Sequence, residues 1–270
     1  MPSLLLSTLV TLFFGCTADT EAEIIPEPLP RLEPEYILSD IEFLPSDEGF
    51  DLDGDGAPNN ALASIFEDPQ IGPILGGDPN EYIARSIQRS ELLLLLDFYD
   101  FNDFQTDDSV NIDIFLGHDF DDNQDNNFDG TEFSITCSSL TEDNQPESQF
   151  FNATIQAGQL EGEDGQFRFL VSFSNTEVLL QGARITGTFD PEGQYLTGGM
   201  LGGAVTIEDL EEVVYNDPEI GSGFAQVMMA FLNAQLDTDI DGDGENDALS
   251  ASFRFEALPA IIDRESACAE

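Results

Sequence analysis

Two acidic stretches constrain this chain more than any other feature: Asp51-Leu-Asp-Gly-Asp-Gly-Ala-Pro-Asn-Asn-Ala-Leu62 and Asp239-Ile-Asp-Gly-Asp-Gly-Glu-Asn-Asp-Ala-Leu249. Both run Asp-x-Asp-Gly-Asp-Gly, a short spacer, Asn-Asn or Asn-Asp, then Ala-Leu. Alternate aspartates broken by glycines suit neither helix nor strand, and bare carboxylates this close repel one another. A hard divalent cation removes that repulsion. Calcium takes about six to eight oxygens, which a tightly curled loop of alternate Asp delivers, with Gly where the backbone needs φ > 0. The spacing nominates Asp51, Asp53, Asp55, Asn59 and Asn60 in the first loop as Ca2+ ligands. In the second it nominates Asp239, Asp241, Asp243 and Asp247, with an overlapping register that starts at Asp237. The simpler alternative for either loop is a solvated acidic turn.

A third candidate has oxygen-bearing residues at Asp121, Asn123, Asp125, Asn127, Asp129 and Glu132. These fall at the ligand positions of a calcium loop, with Glu in the bidentate place. Asn126 stands where the bend Gly belongs, and Asn enters the left-handed region more readily than most residues. A polar turn is the alternative, since Asp and Asn are turn formers anyway.

The loops resemble those of dockerins and thrombospondin type 3 repeats, which share Asp-x-Asp-x-Asp-Gly. The resemblance covers about a dozen residues per copy, with Gly56 where such loops place their bend glycine. Neither copy has Glu at the twelfth position; Leu62 stands there in the first. The expectation is a one-sided loop completed by distant ligands, not a helix-loop-helix hand.

The charge balance fits cation binding. The 270 residues carry 55 acids against seven basic residues, all Arg, for a net charge of −48. Nucleic acid and anionic lipid headgroups would be repelled. No Lys exists for Schiff-base chemistry or a phosphate loop.

Leu4 to Phe14 is an apolar run too short to span a bilayer, ending in Phe13-Phe14-Gly15-Cys16. This resembles the lipobox of bacterial lipoproteins, which implies a lipid on Cys16. Phe13 replaces the usual Leu and the leader has no Lys or Arg. Ordinary cleavage after Ala18 is the rival. The implied location is the cell envelope, on the outer membrane or cell surface. With Cys16 acylated, Cys137 and Cys268 remain as a disulfide pair or as two free thiols. Residues 1–16 are thus read as a signal peptide, 17–35 as an acidic Pro-rich tether and 36–270 as a single β-rich domain.

Alternation organises that domain. Val110, Ile112, Ile114 and Leu116 share one face, as do Phe133, Ile135 and Cys137, then Phe167, Phe169, Val171 and Phe173, then Ala183, Ile185 and Phe189. Leu249 to Ala257 closes the series, Tyr36 to Leu44 opens it, and the apolar run Leu92–Leu96 suits a central strand. A few helices interrupt: a short one at 61–66, one from Asp78-Pro79 to about Ser90 burying Tyr82, Ile83 and Ile87, one opened by Thr206-Ile-Glu-Asp209, and one over 222–236 with Phe224, Val227, Met228, Phe231 and Leu232 on its apolar face. Gly198, Gly199, Gly202 and Gly203 read as a sharp backbone passage. The expected fold is mainly β, an antiparallel sandwich or barrel stabilised by calcium loops.

For function, the chain resembles exported bacterial lipoproteins with Asp-rich calcium loops, a likeness that implies no activity. The leading expectation is a non-enzymatic, surface-anchored recognition or adhesion module with a glycan or protein partner. It contacts the membrane only through its lipid and binds no nucleic acid. The alternative is a calcium-dependent hydrolase of polysaccharide using a carboxylate pair. His118, the single histidine, has no partner motif and reads as a surface residue.

Overall fold

Alternating side chains demand a wall with two faces, and here that wall closes on itself. The computed structural model describes residues 33–75, 77–119, 128, 132–171, 176–216 and 220–264, which lie in one compact unit, Arg31–Glu270. The described strands are β1 (Glu35–Phe43), β2 (Leu94–Tyr99), β3 (Thr106–Asp119), β4 (Glu132–Ile135), β5 (Ser148–Gln156), β6 (Gln159–Val171), β7 (Thr176–Phe189), β8 (Leu196–Thr206), β9 (Ala248–Pro259) and β10 (Ile261–Asp263). The described α-helices are α1 (Ala63–Glu67), α2 (Pro79–Gln88), α3 (Ile207–Asn216) and α4 (Ser222–Ala234).

Eight strands form a closed antiparallel barrel in the order β1-β2-β3-β5-β6-β7-β8-β9, with β9 returning to β1. Closure needs two long-range ladders. β3 pairs with β5 through Ile112↔Phe150, and β1 pairs with β9 through Phe43↔Phe253. With the flap strands β4 and β10 set aside, each barrel strand pairs with the one before it in the chain, so the barrel winds up and down. Val110, Ile112, Ile114, Phe150, Ile155, Leu180, Ile185 and Leu249 point into the bore and are fully or almost fully buried.

The unbroken apolar run in β2 has a specific cause. Leu94, Leu96 and Phe98 face the bore, while Leu93 and Leu95 face outward into a second small core. That outer core joins Ile37, Phe115, Phe133, Ile135 and Ile262, because β4 pairs antiparallel with β3 and β10 pairs parallel with β4. A flap thus covers three strands from outside.

Several expectations change. Gly198–Gly203 lies inside β8 instead of forming a passage. Gly198 takes φ +57° at a register shift, and a side chain on Gly199 would collide with the Phe255 ring of the neighbouring strand. The glycines let β8 approach β9 closely, which only a bare backbone permits. Cys137 leaves its alternation for a 3-10 turn, Cys137–Ser139, after β4 ends at Ile135. Tyr82 is 36% exposed while Ile83 and Ile87 are buried as expected. On α4 the buried residues are Ala225, Met228, Met229 and Leu232; Val227 faces solvent. The caps hold: Asp78 accepts from Asn80 N at 2.9 Å, and Thr206 Oγ1 accepts from Asp209 N at 3.2 Å. Phe173 lies outside the described residues.

Candidate metal centres and an apolar chamber

The first loop leaves β1 and runs to α1, its conformation set by its own aspartates. Asp51 accepts from Gly54 N at 2.7 Å and Gly56 N at 3.0 Å, Asp53 from Asp55 N, and Asp55 from Ala57 N. Gly54 and Gly56 adopt φ +75° and +91° to make this possible. The second loop joins α4 to β9 and repeats the pattern. Asp239 accepts from Gly242 N and Gly244 N, each at 2.8 Å, Asp241 from Asp243 N, and Asp243 from Glu245 N. Its glycines sit at φ +77° and +93°. Two segments far apart in sequence thus fold to one design.

In each loop three carboxylates converge. Asp51, Asp53 and Asp55 each offer an oxygen within 4.8 Å of the others, and so do Asp239, Asp241 and Asp243. Each first aspartate is half-buried and the other two are exposed. An all-oxygen, anionic donor set of this kind fits a hard cation such as Ca2+ or Mg2+.

The other nominated residues have distinct places. Asn59 Oδ1 is buried without a hydrogen-bond partner among the described residues, an orphaned acceptor beside the first loop. Asn60 is fully buried, and its Nδ2 donates to Leu44 O at 2.7 Å and Ser252 O at 3.1 Å, pinning the loop to β9; its Oδ1 also has no partner there. Asp247 accepts from Ile240 N at 2.9 Å, closing the neck of the second loop. Asp237 caps the start of β9, accepting from Ser250 N at 2.8 Å and Ser250 Oγ at 2.5 Å. The stitching continues, since Ser250 Oγ also receives Ala61 N and Ser252 Oγ receives Phe50 N. Both loops therefore meet on the first residues of β9. Arg184, on β7, donates to Asp51 O at 3.0 Å.

Of the third candidate, Asp121, Asn123, Asp125 and Asp129 lie outside the described residues, and Glu132 is an exposed residue opening β4. Cys16 and Cys268 also lie outside. Cys137 is disulfide-bonded. His118 is exposed near the end of β3, opposite Ser134.

Two features had no counterpart in the sequence reading. The first is a row of polar residues on the outer face of the barrel. Cross-strand register lines up Glu35 on β1, Asp97 on β2, Asp113 on β3 and Gln149 on β5. Arg264 covers the row, pairing with Asp97 and, at 2.9 Å, with Glu35. Gln149 Nε2 donates to Asp113 Oδ1 at 3.2 Å. Burial pushes the Asp113 carboxyl up to about 6, against the opposing effect of the Gln149 bond, with the nearby Asp97 charge adding to the rise. Burial likewise raises Glu35, despite its bond from Ile262 N and its Arg264 partner.

The second feature is a chamber of about 530 Å³ in one end of the barrel. Leu38, Ile41 and Phe43 on β1, Phe167 and Phe169 on β6, Leu201 on β8 and Phe253 and Phe255 on β9 form its wall. Ile65, Ile83, Leu210, Val214, Met228 and Leu232 roof it from the four helices. Among the described residues Asp78 is the one charged residue in the lining, and it sits with Tyr82 on the exposed rim at the start of α2. Among known proteins the chain matches no family model, no curated protein and no solved structure.

Proposed function

We propose that the protein is a non-enzymatic, calcium-stabilised recognition module, exported and held at the cell envelope by a lipid on Cys16. The duplicated loop carries this reading. Two segments about 190 residues apart in number share the same hydrogen bonds, glycine angles and three-carboxylate convergence. Asp51, Asp53 and Asp55 would hold one ion and Asp239, Asp241 and Asp243 another, with the orphaned Asn59 oxygen as an added donor in the first. Bound ions would neutralise carboxylates that otherwise repel, and would tie α4 and the start of β9 to the first loop.

The hydrolase alternative draws no support from the geometry. Glycoside hydrolysis needs two carboxylates flanking a cleft. Among the described residues the chamber offers only Asp78, and the Asp97–Asp113 pair is on the outer wall under Arg264.

Calorimetric titration tests the proposal. We expect two equivalents of calcium to bind the folded chain, with Asp241→Ala removing one and Asp53→Ala the other. Melting curves that coincide in calcium and in chelator would reduce both loops to acidic turns.

A further inference from the structure

We infer that the chamber is a binding site for a single uncharged, hydrocarbon-rich amphiphile, with its chain inside the barrel and its polar end at the Asp78–Tyr82 rim. This does not depend on the calcium reading.

Protein interiors leave few voids larger than a water molecule, so a chamber of about 530 Å³ is not ordinary packing slack. It falls within the roughly 300–1,000 Å³ of small-molecule sites. The same barrel is solidly filled at its other end, where Tyr36, Phe98, Phe101, Phe104 and Phe189 pack ring against ring. The strands can therefore close around a full bore, and the space beside Leu201 and Met228 is not forced by barrel size.

The lining decides the ligand's chemistry. Leu, Ile, Val, Phe and Met side chains surround the interior, so a polar or charged group placed there would lose its water without a partner. Among the described residues, the polar side-chain atoms of the lining are the Asp78 carboxylate and the Tyr82 hydroxyl, both at the rim. A hydroxyl or ester end can hydrogen-bond at that rim, donating to Asp78 or accepting from Tyr82. A carboxylate or phosphate end meets Asp78 and the field of a chain carrying −48 net charge. That excludes fatty-acid anions and acidic phospholipids as preferred occupants.

The test uses the full chain and the uncharged dye N-phenyl-1-naphthylamine. Fluorescence should rise saturably to one dye per chain. Hexadecan-1-ol should displace it, while hexadecanoate at pH 8 should need at least about ten-fold more, because its charge must stay at an anionic rim. Leu201→Trp fills the chamber from the wall and Met228→Trp from the roof; each should weaken dye binding by about ten-fold or more. Melting curves report whether each variant folds, and one folded variant suffices. A folded chain that gives no saturable rise, or folded variants that bind dye like wild type, would overturn the site. Equal displacement by alcohol and carboxylate would overturn the assignment of an uncharged ligand. Should neither variant fold, dye stoichiometry and the order of displacement on the unaltered chain decide the outcome.

Discussion

Five aromatic rings fill one end of the barrel, and four helices roof a chamber at the other. The same strands build both. On β1, Tyr36 packs edge-on against Phe98 at 5.7 Å between ring centres, while Phe43, seven residues later, lines the chamber. At about 3.3 Å per residue those positions stand roughly 23 Å apart along the wall. The filled end is closed by short connections, with Tyr36 Oη donating to Gly193 O at 2.9 Å in the β7–β8 turn. The barrel's long connections lie at the chamber end, and both Asp loops belong to it: the first follows Phe43, and the second precedes the part of β9 that pairs with Phe43. The filled end is thus secured by packed rings and tight hydrogen-bonded turns. The hollow end gives up packing and depends on its stitched loops.

The largest expected effect follows from that difference. A ligand that binds only the folded form adds about 2.7 kcal/mol at a hundredfold excess over Kd, so the two proposed calcium sites would together add about 5 kcal/mol. For a domain of this size that moves the melting temperature by on the order of 10 °C. Chelation should therefore lower it by that much, with magnesium restoring little. Hydrogen exchange should show α4 and the start of β9 losing protection before Tyr36 and Phe98. Uniform loss at both ends would break the comparison.

Packing gives the next effect. Phe98→Ala deletes a ring fully buried among Tyr36, Phe101 and Phe189, and should cost about 4–5 kcal/mol, the upper range for such changes. Phe253→Ala borders a space that already exists, so fewer contacts are forfeited and the cost should be about 3 kcal/mol or less. Urea unfolding of the two variants measures the gap. Equal costs would mean that the chamber wall is packed as tightly as the plug.

Asp113 gives a smaller effect, visible as a pH dependence. Its folded pKa of about 6 lies above the ordinary value of 3.8, so the folded state gains a proton first as pH falls. Its ionised form penalises folding above pH 6, and that penalty is relieved as pH drops from about 6 toward 3.8. Asp113→Asn should stabilise the protein at pH 8 by about 1–2 kcal/mol, the shift being discounted because the group is partly exposed. The advantage should shrink toward zero at pH 4. A constant difference across that range would show that Asp113 does not titrate where its burial places it.

What the sequence made legible follows from the range of each signal. Alternation at Val110, Ile112 and Ile114 and the caps at Asp78 and Thr206 are local, and they mark elements that form. The Asp loops are legible for the same reason, because three carboxylates and two glycines within six residues leave little choice of backbone. Closure has no local signal: the ladders joining β3 to β5 and β1 to β9 link distant segments, so alternation alone suits a sandwich as well as a barrel. The β8 glycines mislead since Gly marks turns more often than close strand approach, and only the Phe255 ring explains Gly199. Asn60 resembles a loop ligand in sequence, yet its amide nitrogen is tied to Ser252, 192 residues away. The chamber is legible least of all. It is a volume left between side chains, and composition cannot distinguish a filled bore from a hollow one.

Asp78 produces the smallest effect and sharpens the comparison most, because two substitutions there separate its roles. Its carboxylate caps α2 by accepting from Asn80 N, and among the described residues it is also the only charge on the chamber's lining. Asp78→Ala removes both functions and should cost about 1 kcal/mol, the usual loss for an N-cap. Asp78→Asn keeps the cap, since Asn accepts the same bond about equally well, and loses only the favourable charge at the helix N-terminus, about 0.3–1 kcal/mol. Charges at the rim act over about one Debye length, roughly 8 Å at physiological salt, so most of the chain's other acids are screened there and Asp78 is not. Hexadecanoate should therefore bind Asp78→Asn several-fold more tightly than wild type, while hexadecan-1-ol, which is uncharged, should bind both nearly alike. A carboxylate ligand indifferent to this substitution would show that repulsion comes from the whole molecule's charge, and that the rim at Tyr82 is not where the polar end rests.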